Sequence, residues 1–72
     1  LEQVTIGASV NSTDTDIGVD SLPSEESTGT SSNQVTFSPT FNNDETSNGD
    51  AELEFTADGV STTLTVTVES GS

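Results

Sequence analysis

The chain is 72 residues long, with 13 Asp and Glu, no Lys, Arg or His, and a formal net charge of -13. Nucleic acid is excluded as a partner, because binding it takes cations that neutralise phosphates, and an anionic membrane surface is disfavoured for the same reason. Cys is absent, which removes disulfides, thiolate metal sites and cysteine nucleophiles together.

The first patterned stretch, QVTIGASV, alternates Val4, Ile6, Ala8 and Val10 against Thr5, Gly7 and Ser9. Period-two alternation predicts a strand within residues 1–10. The polar segment NSTDTD (11–16) reads as a flexible linker, and it holds the sequon Asn11-Ser12-Thr13, a candidate glycosylation site at Asn11. DIGVDSL offers Ile17, Val19 and Leu22 as a short strand, and PSEESTGTSSN (23–33) reads as a polar loop. QVTFSPTF places Val35, Phe37, Pro39 and Phe41 on one side of a further strand. Pro39 has no N–H for a ladder, so this strand should lie at an edge or break near its end. After the turn-rich NNDETSNGD comes AELEFTADGVSTTLTVTVES (51–70), the clearest hairpin. Asp58-Gly59 suits a two-residue type I′ turn. Pairing Ala57 with Val60 then sets Phe55 against Thr62, Leu53 against Leu64 and Ala51 against Val66, with Val68 extending the apolar face. Glu52, Glu54, Thr56, Ser61, Thr63, Thr65, Thr67 and Glu69 fall on the other face, and a one-residue slip would scramble the separation. No stretch has the 3.6-residue apolar spacing of a helix.

These elements predict an all-β fold: a small antiparallel β-sandwich of about five strands in a single domain, 1–72. The hairpin resembles the last two strands of an immunoglobulin-like domain. Such domains take about 7 strands and about 100 residues, with Cys and Trp landmarks absent here, so an incomplete sandwich is expected. The expected core is Val4, Ile6, Val10, Ile17, Val19, Leu22, Val35, Phe37, Phe41, Leu53, Phe55, Val60, Leu64, Val66 and Val68. It is thin. A domain this small buries only about 60% of its unfolded surface and is marginal without staples or assembly.

Hydrophobic content of 26% with such charge borders on disorder, but the orderly placement of the apolar residues argues for folding. Without cations every carboxylate interaction is repulsive. The screening length is about 10 Å at 0.1 M salt and about 3 Å at 1 M, so brine silences a repulsion that dilute buffer leaves intact. In composition the chain resembles secreted proteins of extreme halophiles, particularly haloarchaea, a resemblance that indicates an environment rather than a family. The alternative is an ordinary acidic extracellular domain that relies on Ca2+. The chain opens with Leu1 and contains no Met, which predicts a processed chain or a fragment. No apolar run approaches the roughly 20 residues that cross a bilayer, no signal peptide is expected to remain, and direct membrane insertion is not expected.

The side chains available for chemistry are carboxylates, hydroxyls and amides, on outward strand faces or in polar loops. Paired-carboxylate catalysis needs two acids in a cleft with separated pKa values, so an enzyme is not expected. Metal binding rests on two segments, one with Asp14, Asp16 and Asp20, the other with Asn43, Asp44, Glu45 and Asp50. Oxygen-only ligands suit Ca2+ or Mg2+. Neither segment has the EF-hand spacing, solvated loops are the plainer reading, and no cofactor is required.

Absent Lys rules out pilins joined by lysine isopeptide bonds, and the long apolar helix of a type IV pilin is absent too. The expected function is a non-enzymatic structural subunit of an extracellular, cell-surface or virion-surface assembly, a filament, sheath or shell. Self-association through β edges would hold it together. One specific route is donation of the first strand, Val4, Ile6, Ala8 and Val10, to a neighbour's sheet, with intramolecular packing of that strand the slightly favoured reading. The alternative is a modular adhesin or cell-surface immunoglobulin-like domain of a longer chain, with Ca2+ as its cofactor.

Overall fold

The computed structural model describes residues 2–71 and is built on the hairpin. Asp58 at φ 51 and Gly59 at φ 78 form its two-residue turn, and glycine takes the second of these without a Cβ penalty. The pairing runs from Ala57–Val60 through Phe55–Thr62, Leu53–Leu64 and Ala51–Val66 to Gly49–Val68, in the register expected from the alternation.

Among the described residues six strands form: β1 (Thr5–Thr13), β2 (Ile17–Asp20), β3 (Glu25–Ser27), β4 (Thr40–Asn43), β5 (Gly49–Ala57) and β6 (Val60–Val68). One antiparallel sheet has the order β3-β1-β5-β6 and the other is the pair β2-β4, so the chain is all-β with two sheets, as a small sandwich requires.

Three local expectations are corrected. β1 does not end at Val10 but runs through Thr13, into the segment read as a linker. A bulge makes this possible: Val10 pairs with Leu53, Ser12 pairs with Glu52, and Asn11 is the extra residue between them. A bulge shifts the phase of alternation, so a period-two reading stops where the strand continues. β3 lies inside the segment read as a loop, with Ile6 opposite Glu26. It is pinned by Thr28, whose N–H donates to the Val4 carbonyl while its Oγ1 accepts from the Val4 N–H, each at 2.9 Å. Conversely, residues 34–39 are not a strand, and β4 begins only at Thr40, just past Pro39. Phe37 instead packs its ring against Phe55, centroids 5.3 Å apart and tilted by 55°, a geometry aromatic pairs favour.

The core is smaller than the sequence suggested. Ile17, Ala51 and Leu53 are its buried apolar residues, and most other expected members, such as Ile6, Val19, Phe41 and Val66, are half-buried. Ile17 seats on the bare backbone of Gly49, where a Cβ would come within 2.8 Å of the Ile17 Cδ1. Val10, Leu64 and Val60 were expected in the core and are instead 43%, 52% and 72% exposed. A two-stranded second sheet cannot cover a four-stranded one. The molecule measures 46 × 20 × 14 Å with a radius of gyration of 14.1 Å, against about 11 Å for a compact domain of this length. Much of one sheet face is open.

Candidate functional site

Two regions collect the residues of interest. The first is a recess of about 340 Å3 between the β1–β2 corner and the loop after β4, lined by Asp14, Thr15, Asn43, Glu45 and Asn48 among others. Its frame is Asn43, buried and fully bonded. The Asn43 Nδ2 donates to the carbonyls of Ser47 (3.0 Å) and Val68 (3.1 Å), and its Oδ1 accepts from the Glu45 N–H (2.9 Å). One amide thus ties β4, the following loop and the end of β6 together. Sequence reading placed Asn43 among candidate ligands, because a side chain that satisfies backbone and one that holds a cation look alike in a turn-rich segment.

The candidate acids are mostly engaged in structural bonds. Asp14 accepts from the Asp50 N–H through Oδ2 and donates its own N–H to the Asp50 carbonyl, both at 2.9 Å. Asp50 Oδ1 accepts from the Thr67 hydroxyl at 3.1 Å. Asp20, at the opposite end of β2, accepts from Asn42 Nδ2 at 3.2 Å. Asp16, at φ 66, meets Glu45: the hydrogen bond that the protonated Glu45 carboxyl donates to Asp16, together with the charge of Asp16, pushes that carboxyl above its ordinary value, with lost hydration and the charge of Asp44 adding to the shift. The six acids therefore form an Asp14–Asp50 clamp, an Asp16–Glu45–Asp44 group and an isolated Asp20. Among the described residues no group of three or more His, Cys, Asp or Glu is placed to hold a metal ion. Asn11, the sequon residue, is exposed at the bulge, and its Nδ2 donates to Glu52 Oε1.

The second region is the pair of edges of the four-stranded sheet. β1, the strand considered for donation, is not at an edge: it is paired on one side with β3 and on the other with β5. β3 forms one edge with three residues, two of them Glu25 and Glu26. Short, charged edges resist pairing with other chains. β6 forms the other edge with nine residues, VSTTLTVTV, none of them charged. A two-residue turn makes Ala57 and Val60 a hydrogen-bonded pair, and such pairs alternate along an antiparallel ladder. Val60, Thr62, Leu64, Val66 and Val68 thus direct N–H and C=O toward β5, whereas Ser61, Thr63, Thr65 and Thr67 direct theirs outward. Among the described residues no strand pairs with that side. The β6 side chains on the inner face are unequally covered. Val66 and Val68 are half-buried, whereas Val60 and Leu64 stand in solvent. Beside them lies an apolar groove of about 220 Å3 lined by Ile6, Phe55, Ala57, Val60 and their neighbours. The sequence specifies the β5–β6 register but does not show that, among the described residues, β6 has no second neighbour.

No protein-family model, no curated protein and no solved structure matches the chain.

Proposed function

We propose that the chain is a non-enzymatic structural subunit of an extracellular or virion-surface assembly working in concentrated salt, held to its own copies by strand pairing and packing. The observation that carries this reading is β6: a long, uncharged edge with which no strand pairs among the described residues, and which itself carries the exposed Val60 and Leu64. Long flat edges of high β propensity template pairing with other chains. In a chain of net charge -13, copies repel everywhere except along such a strip, so salt governs assembly. The expected outcome is folding and association that rise with NaCl, and equally with KCl, as screening shortens from about 10 Å at 0.1 M to about 3 Å at 1 M. Circular dichroism and sedimentation across a salt series check this. Particles that stay monomeric in molar salt overturn the assembly reading. Folding induced by about millimolar Ca2+ at fixed ionic strength, in the range of weak extracellular Ca2+ modules, favours a Ca2+-dependent adhesin-like domain instead.

A further inference from the structure

We infer that β6 pairs antiparallel with β6 of a second copy, centred on Leu64, to make a closed two-fold dimer with one eight-stranded sheet. The inference rests on the assembly reading above and specifies its contact.

The register follows from the strand itself. A two-fold contact must be self-complementary, and an antiparallel strand pair must keep each face intact. Centring on Leu64 does both. Leu64 faces the partner's Leu64, Val60 faces the partner's Val68, and Thr62 faces the partner's Val66. On the other side of the sheet Thr63 faces the partner's Thr65 and Ser61 the partner's Thr67, so hydroxyl meets hydroxyl. The backbone agrees. Ser61, Thr63, Thr65 and Thr67 carry the outward N–H and C=O groups, and in this register they form the hydrogen-bonded pairs. Val60, Thr62, Leu64, Val66 and Val68 fall at the non-bonded pairs, where side chains approach most closely.

Coverage and charge select the same partner. In each copy the Val68 end of β6 is held by Asn43 of β4 and is half-buried, while the Val60 end is bare. Reversal about Leu64 sets each bare end beside the covered end of the other copy. None of the 13 acids lies on β6. Glu52 and Glu54 sit one strand back, about 14 Å from their counterparts across the two central strands at about 4.8 Å per strand. That separation exceeds the screening length of about 8 Å at physiological salt. Only at the two ends do acids approach, where Asp58 comes beside the partner's Glu69, and this gives the contact its salt requirement. The outer edges of the resulting sheet are the two short, acidic β3 strands, which stop it from growing further.

Single-cysteine variants test the register cleanly because the chain has no Cys. Leu64 is 52% exposed and Val60 72% exposed, so both positions tolerate the change. In molar NaCl with diamide as oxidant, L64C is expected to form a disulfide-linked dimer at least tenfold faster than V60C. Non-bonded antiparallel neighbours lie about 4.5 Å apart between Cα atoms, within disulfide reach, whereas this register separates the two Val60 positions by about 26 Å at about 3.3 Å per residue. Sedimentation of the unsubstituted chain under the same conditions should give a dimer. Equal cross-linking of both variants, or association without L64C cross-linking, overturns this contact but leaves the assembly reading intact. A monomer at every salt concentration overturns both.

Discussion

The two edges of the four-stranded sheet are built from opposite materials. β3 is three residues long, acidic at Glu25 and Glu26, and clamped by Thr28 to the start of β1. β6 is nine residues long, without charge, and carries Val60 and Leu64 into solvent. Among the described residues no strand pairs with the outer side of either edge, so hydrogen-bonding capacity does not distinguish them. Length, charge and apolar exposure do. These properties decide whether an edge ends a sheet or continues it, and here one edge of each kind occurs in one small molecule.

The same contrast runs across a single cross-strand pair. Leu53 and Leu64 face each other in the β5–β6 ladder, yet Leu53 is 2% exposed and Leu64 52%. Replacing Leu53 with Ala should cost about 2–4 kcal/mol, in the range for buried leucines. That is a large part of the roughly 4–11 kcal/mol expected for a domain of this length. Replacing Leu64 with Ala should cost the monomer less than about 1 kcal/mol, because little of its surface leaves water on folding. Thermal unfolding in molar salt at low protein concentration checks both. Equal losses would mean that β6 is covered in the monomer, and the contrast between the edges would fail.

A second prediction converts one edge into the other. With Glu25 and Glu26 both replaced by Thr, β3 loses the charge that blocks it. Association is expected to continue past the dimer into larger species, visible by light scattering in molar salt. An unchanged particle size would show that the shortness of β3, and not its charge, closes that edge.

The smallest effect lies away from both edges. The Glu45 carboxyl is held above its ordinary value by the hydrogen bond it donates to Asp16 when protonated and by the charge of Asp16, then by lost hydration and Asp44. A carboxyl raised in the folded state binds its proton more tightly there than in the unfolded chain, so stability falls as pH rises through the raised value and recovers below it. E45Q removes the repulsion. It should raise the unfolding temperature slightly near neutral pH in low salt, with the gain vanishing in molar salt and at acid pH. A pH series of melting curves at two ionic strengths measures it, and a gain that persists in brine would show that charge is not the cause.

Much of the fold was legible because period-two patterning and turn chemistry are local. The Asp58-Gly59 turn, the full β5–β6 register, the existence of β1 and β2 and the all-β class follow from neighbours in sequence. β3 was not legible, since Glu-Glu-Ser has no strand pattern and is extended only because β1 offers it a ladder. The continuation of β1 was hidden by the bulge at Asn11, and the break before Thr40 was only half visible in Pro39. Among the candidate acids, nothing in the spacing distinguished Asp14, bonded to the Asp50 backbone, from Asp20, bonded to Asn42 at the far end of β2.

By itself, then, the sequence determined which residues alternate, where the chain turns, and that every carboxylate lacks a cation. Only the tertiary structure decided which apolar residues are covered. Alternation assigns a side chain to a face, but coverage depends on what packs over that face, and a two-stranded layer reaches Leu53 and Ala51 while leaving Leu64 and Val60 bare. An edge exists only when sheet order is known, because the same nine uncharged residues would be an unremarkable central strand had a further strand paired beside them.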